Sequence, residues 1–401
     1  MVQIAERVNN LPQIYLFREL ATCIKQAKDN FSPFIRLHIG TPDLPTPYLI
    51  NNEIALTFSD SNLSELYVHG YPDDKHDYIG LLELRESLAE DYKEKHGVDL
   101  KPDQFVIDFG GKPSLFNLPA VFLNHGDYGV VEDPSYPVGV AAIISATGHK
   151  DNVKYLQCTE ENNFEPFLTD LAEEPFKRPK TLYLVSPNNP TGATHERKYL
   201  NELFGQAARY DMAIIYDAAY KDFTYGGYKS PSAMEFSDYS GRILEVGSFS
   251  KPYTMVGHRL GWVVGDEKLI EQWRRYKSFI DSGTINAIQR GGVVALKSPI
   301  VKEIVKNNMG IYERRAELLS NALNRLGLRC RKPKATPYIY FKIPEGFSSK
   351  DFCVKMINEA GVSFAWGSGF GPAGEGYARS TVFQKDELIE EALMRLEKQL
   401  G

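Results

Sequence analysis

The chain has 401 residues, 43% hydrophobic and 24% charged, with a formal net charge of −6, which suits a globular enzyme with one large domain and one smaller one. Its mild acidity and its lack of any Lys/Arg-rich run exclude nucleic acid or an anionic membrane surface as an expected partner. No apolar run reaches the roughly 18 residues that a bilayer span needs, and residues 1–10, with Glu6 and Arg7, lack the apolar stretch of a secretory signal.

The four cysteines, Cys23, Cys158, Cys330 and Cys353, share no metal-type spacing. No metal site is therefore expected, and the reading is free thiols in a reducing cytoplasm. From about residue 100 to 265, short β-rich runs alternate with helical stretches. The runs are 105–107, 129–131, 182–185, 213–216, 243–246 and 262–264. Such runs imply an α/β fold, with a mostly parallel sheet covered by helices on both faces. Ligands of such sheets gather at the carboxyl ends of the strands. Residues 110–112, 134–136, 186–192, 217–220 and 248–251 each follow a run closely, so one site fed by five loops is expected. Near Ala287 the pattern changes to a long charged helical stretch (301–326), a β-rich segment (338–341) and a closing helix (385–400). We read a large domain over 46–287 and a smaller, discontinuous α+β domain over 1–45 and 288–401.

Ser248-Phe249-Ser250-Lys251 ends one apolar run and is followed by Gly257-His258-Arg259-Leu260-Gly261-Trp262. A lysine flanked by small residues at a strand end can sit in a partly desolvated pocket. Burial and a nearby cation lower its pKa, as Schiff-base chemistry requires. Ser248 and Arg259 could grip a phosphate, the arginine bidentately. Alone, such a lysine is more often a surface residue. The other segments also have plain structural readings when taken singly. Asn189 can be a turn residue before Pro190, Asp217 a helix cap, Tyr220 and Tyr136 half-buried aromatics, and Gly110-Gly111 a loop. Pro113 fits as a first helical residue, and Pro119 should kink or end that helix.

In combination, and in chain order, these segments resemble the class I/II (fold type I) aminotransferases. The matching segments begin with Ile35-Arg36-Leu37-His38-Ile39-Gly40-Thr41-Pro42-Asp43, Gly110-Gly111-Lys112 and Asp133-Pro134-Ser135-Tyr136. Asn189-Pro190-Thr191-Gly192, Asp217-Ala218-Ala219-Tyr220, the Lys251 segment and Gly376-Tyr377-Ala378-Arg379 complete them. The likeness runs from about Leu11 onward and is nearest the alanine, aromatic and LL-diaminopimelate branch. It implies pyridoxal 5′-phosphate (PLP) attached to Lys251 as a Schiff base. It puts Asp217 against the pyridine nitrogen, where a carboxylate keeps the cofactor an electron sink. Asn189 and Tyr220 would bond its 3′-oxygen, and Tyr136 would stack on its ring. Gly111, Lys112, Ser248 and Arg259 would hold its phosphate, glycine allowing close approach and the helix N-terminus offering free N–H groups. Arg379 would bind the substrate α-carboxylate, with Gly40 and Asn189 beside it. Tyr71, in His69-Gly70-Tyr71, would reach the phosphate of a neighbouring subunit, making the active unit a homodimer with shared sites.

The resemblance implies transfer of an amino group from an L-amino acid to a 2-oxo acid, with Lys251, Asp217 and Tyr220 as the catalytic groups. Three departures from the pattern stand out, of which the enlarged loop and His258 keep a PLP-dependent lyase, cyclase or oxidase of a specialised pathway as the alternative. Residues 72–78 form an enlarged loop, which can reshape a pocket. His258 and Thr254 are unusual in the lysine segment. Trp366 stands before Gly367-Ser368 where proline is usual, and is read as packing in preference to pocket lining.

Overall fold

The strongest local signal is a set of β-branched and aliphatic runs between helical stretches. In the computed structural model, which describes residues 2–12, 16–60, 78–166 and 179–401, these runs become strands. After the two-residue β1 (Ile35–Arg36) come β2 (Phe105–Asp108), β3 (Gly129–Asp133), β4 (Val153–Gln157) and β5 (Thr181–Val185). β6 (Ala213–Asp217), β7 (Ile243–Ser248) and β8 (Gly261–Gly265) follow. Strands β2 to β8 form one sheet in the order β2-β8-β7-β6-β5-β3-β4. Only β8 runs antiparallel to its neighbours; the other pairings are parallel. Every residue of β3, β5, β7 and β8 is buried, which is why they read as continuous apolar runs. β4 lies outside the expected runs. It is an edge strand with Tyr155 and Gln157 exposed, so its sequence looks half polar.

The sheet is covered on both faces. One face packs against a core that includes Ile54, Leu84, Phe204, Tyr216 and Phe249. The other packs against Leu115, Ile143, Tyr183, Ile215 and Trp273. The first core also takes in Val293, Leu296 and Val301, beyond the expected boundary at 287, because the helix Asn286–Lys297 lies on the helix Tyr48–Ser59. Gly291 permits this contact, since a Cβ there would lie 2.7 Å from Ile54.

A second body is built from β9 (Tyr338–Lys342), β10 (Val362–Ser363), β11 (Ala365–Trp366) and β12 (Tyr377–Thr381). β11, β12 and β9 form an antiparallel sheet. β1 pairs in parallel with β10, Ile35 opposite Val362. Leu16, Leu20, Ile24 and Ile35 share this body's core with Phe341, Phe352, Ile389 and Leu396. The long helix spans Pro299–Arg325 and starts two residues before the expected 301, at a Ser298 cap that accepts the Val301 N–H. The helix Gly111–Asn117 stops short of Pro119, which begins a separate helix, Pro119–Phe122, as a proline breaks the ladder. Pro113 is the third helical residue, not the first. It is tolerated there because first-turn N–H groups have no helical acceptor.

No helix among the described residues is long and apolar enough to cross a membrane. No cluster of three or more His, Cys, Asp or Glu among the described residues could hold a metal. The four cysteines are free.

Candidate active site

Strand order decides where the site forms. The chain leaves β3 for the edge strand β4 and then crosses back to β5 on the other side of β3. The crevice lies at such a reversal, at the carboxyl ends of the strands. Asp217 ends β6, Ser248 ends β7, and the segments after β3 and β5 bring Tyr136 and Asn189. All the expected site residues except Tyr71 line one cavity of about 420 Å³, together with Phe17, His38 and Tyr338. Tyr71 and residues 72–77 lie outside the described residues.

Asp217 is buried at 3% exposure. Its Oδ1 accepts the Ala219 N–H at 3.1 Å, and no cation faces it among the described residues. Burial pushes its pKa up to about 7. Lys251 donates from Nζ to the Gly40 carbonyl. Burial of the amine, with Arg379 and Arg259 nearby, lowers its pKa to about 8. An acid and an amine lining the same cavity thus both have pKa values shifted toward pH 7, the condition for moving protons there.

Arg259 holds a left-handed backbone, φ 58°. Its guanidinium donates to Val256 O at 3.1 Å and Phe109 O at 3.3 Å. Gly110, φ 81°, lies against it, and a Cβ there would sit 2.8 Å from Nη2. A strained non-glycine residue and a glycine at this junction bring a cation beside the first turn of the helix Gly111–Asn117. Tyr136 is a half-buried wall of the cavity, with Lys112 Nζ 6.0 Å from its ring centre. Ser248 Oγ accepts the Ser250 N–H at 3.1 Å.

Arg379 comes from β12 and is 1% exposed. It donates to Asn189 Oδ1 and to His38 O, each at 2.7 Å. Its guanidinium carbon lies 4.1 Å from the Tyr338 ring centre, 4.9 Å from Phe370 and 5.4 Å from Phe17. Nε has no partner, and no carboxylate pairs with the group among the described residues. Buried cations are normally paired, so this one suits an incoming carboxylate. Tyr220 shares a 2.7 Å hydrogen bond with Tyr338. Tyr338, His38 and Phe17 were not expected here. His38 lies in the matched segment 35–43, beside Gly40, whereas Tyr338 and Phe17 give no local signal because the partners they meet are far away in the chain.

The departures at Thr254, His258 and Trp366 make contacts within the chain. His258 Nε2 meets Asn51 Oδ1 at 2.9 Å. Thr254 donates to Pro45 O at 3.0 Å and accepts from Thr46 Oγ1 at 2.8 Å, tying the 45–46 segment to the lysine loop. Trp366 is buried in the second body's core and also lines an apolar cavity of about 570 Å³ that touches Lys112 and Phe370.

These residues fit a phosphorylated pyridinium aldehyde. Asp217 is a buried carboxylate with one N–H partner and no cation, Lys251 is a depressed amine, and Arg259 flanks a helix start. The family described as "Aminotransferase class I and II" matches residues 61–396. An LL-diaminopimelate aminotransferase of Halothermothrix orenii is 38% identical over 393 residues, 98% of this chain and 97% of that one. One from Moorella thermoacetica is 35% identical over 402 residues, 100% and 99% of the two chains. The solved aromatic aminotransferase from Pyrococcus horikoshii OT3 superposes with a TM-score of 0.83 at 30% identity, covering 95% of this chain and 98% of that one. The relatives named here are aminotransferases and give a lyase, cyclase or oxidase reading no support. The chain belongs to the class I and II aminotransferases, enzymes that transfer amino groups.

Proposed function

We propose that this aminotransferase uses PLP and takes LL-diaminopimelate as amino donor with a 2-oxo acid as acceptor. The observation that carries the cofactor reading is Asp217, a buried carboxylate without a counter-ion, opening into the cavity that holds Lys251 and Arg379. The names of the full-length relatives support the donor.

When bound, PLP supplies an electron sink for the bond at the substrate α-carbon. Asp217 would hold a proton on the pyridine nitrogen, a role its burial favours because the pair cancels two desolvation costs. Lys251, with its pKa near 8, has a neutral fraction at pH 7. It takes the α-proton as base and returns it as acid. Arg379 clamps the α-carboxylate, with Asn189 and the His38 carbonyl fixing the guanidinium plane. Asn189 and Tyr220 would meet the cofactor 3′-oxygen and Tyr136 its ring face. Ser248, Arg259, Gly111 and Lys112 would meet its phosphate, and Gly40 would border the substrate.

We further propose a cytoplasmic homodimer in which Tyr71 serves the neighbouring site. Tyr48, Leu56 and Phe58, on the helix Tyr48–Ser59, are exposed, as are Phe279 and Ile285 near the helix packed against it. Exposed apolar side chains concentrated in this region suit a subunit contact. In domain terms, we propose a large domain that reaches about residue 298, with a discontinuous smaller one from residues 1–45 and the remainder.

The deciding experiment follows turnover of a panel of amino donors, LL-diaminopimelate included, with a 2-oxo acid. LL-diaminopimelate should have the highest kcat/KM; another donor ahead by about tenfold or more, some 1.4 kcal/mol, overturns the substrate. Borohydride reduction and peptide mapping should place the pyridoxyl label on Lys251, and Lys251→Ala should lose turnover. A label on another lysine removes the assignment.

A further inference from the structure

We infer that Tyr338 is a positioning residue that serves both the carboxylate-binding arginine, through its ring, and the tyrosine at the cofactor, through its hydroxyl. The inference rests on the reading of Tyr220 and Arg379 given above. Its geometry has two independent halves. The Tyr338 ring lies under the Arg379 guanidinium at 4.1 Å, the shortest of the three aromatic contacts to that group. Its hydroxyl meets the Tyr220 hydroxyl at 2.7 Å. The two tyrosines are far apart in the chain, Tyr338 at the start of β9 and Tyr220 after β6, and they share one core. Both are buried, at 2% and 6% exposure.

Gly40 completes the case. A Cβ there would overlap the Tyr338 hydroxyl, so the glycine whose carbonyl receives Lys251 also makes room for this phenol. Tyr338 therefore touches the surroundings of Lys251, Tyr220 and Arg379 together. A tyrosine has one hydroxyl proton. If Tyr220 gives its proton to the cofactor 3′-oxygen, Tyr338 must donate to the Tyr220 oxygen. A donor bonded in this way becomes a better donor itself. The ring works separately, as a neutral face that fixes the guanidinium plane without neutralising its charge.

The test uses the cofactor-loaded enzyme and separates the two halves. Tyr338→Phe keeps the ring and removes the hydroxyl. The pH midpoint of the visible absorption should rise by about 0.5 unit, the scale of one indirect hydrogen bond. KM for whichever donor the parent turns over should stay within about twofold. Tyr338→Leu removes the ring as well and should raise KM by about fivefold or more. Tyr220→Phe should raise the midpoint further, and adding Tyr338→Phe to it should change nothing more, because the effect runs through Tyr220. A midpoint that moves in Tyr220→Phe but not in Tyr338→Phe overturns the coupling alone. So does an equal Tyr338→Phe shift in both backgrounds. An unmoved midpoint in Tyr220→Phe overturns the coupling and the Tyr220 reading together. An unchanged KM in Tyr338→Leu overturns the ring's role.

Discussion

Two buried carboxylates on adjacent strands show how the molecule separates structure from chemistry. Glu245 on β7 and Asp217 at the end of β6 are 0% and 3% exposed. Glu245 accepts from Lys221 Nζ at 2.8 Å, Tyr92 Oη at 2.6 Å, and Ser232 Oγ and the Ala233 N–H at 2.7 Å each. Burial pushes its pKa up, but Lys221 and these hydrogen bonds outweigh that and hold it below its ordinary value. Asp217 receives one backbone N–H, and burial leaves it near 7. The chain satisfies the first carboxylate itself and gives the second a single backbone N–H, which is what the proposed pairing with a pyridinium needs. Burial alone therefore does not mark a functional acid; Asp217 differs in also opening into the cavity that holds Lys251 and Arg379.

Breaking each carboxylate should separate the two regions cleanly. Asp217→Asn should slow α-proton removal by about 10³-fold, within the range of lost acid–base catalysis, while PLP stays bound. A single-turnover rate equal to the parent's would falsify its role at the ring nitrogen. Glu245→Leu leaves Lys221 buried and unpaired and should cost about 3–5 kcal/mol of stability. Denaturant unfolding measures that loss. The absorption of bound cofactor at low temperature should not change; a shifted spectrum would join this network to the site. Arg379→Leu should fall between the two, folding normally yet losing about tenfold or more in kcat/KM for every α-amino acid donor. A donor spared by this substitution would show that the carboxylate binds elsewhere.

A further effect is in the pH dependence of folding, and its sign differs between the two acids. In the cofactor-free chain Asp217 keeps its proton up to about 7, whereas the unfolded chain loses it near 4. The folded state then binds more protons, and stability falls as pH rises between those values. Glu245, with its folded pKa depressed, contributes stability above its unfolded pKa and loses it as pH falls through the folded one. Asp217→Asn should flatten the fall between about pH 5 and pH 7 by one proton's share. Glu132, pushed up to about 8 by burial, should leave a residual slope in parent and variant alike. Equal slopes in both proteins would place the raised acid elsewhere.

Much of the fold was legible in the sequence, and the proposed site residues stand out because they sit at strand ends. A strand covered on both faces is an apolar run, and the residue that ends it stands out by polarity, as Asp217 and Ser248 do. β4 was not legible, since an edge strand alternates like a surface segment. Tyr338 was hidden differently. It sits in a correctly expected strand, but its role depends on Tyr220 118 positions away and on Gly40. Pro113 shows the ordinary limit on helix starts, displaced by two positions without cost. The reach of the first core to Val301 was hidden by the change of pattern at Ala287.

The pairing of Ile35 with Val362 also bears on how the protein is made. The apolar side of the helix Leu16–Ala27 is buried with Phe341, Phe352 and Ile389. During synthesis, that helix leaves the ribosome hundreds of residues before its partners exist. The central sheet, with local crossovers, can assemble first. Arg379 acquires its contacts with Phe17, His38 and Asn189 only when the last segments dock. The proposed carboxylate site at Arg379 is thus among the last parts of the nascent enzyme to form, and a prematurely stopped chain carries the lysine loop without it.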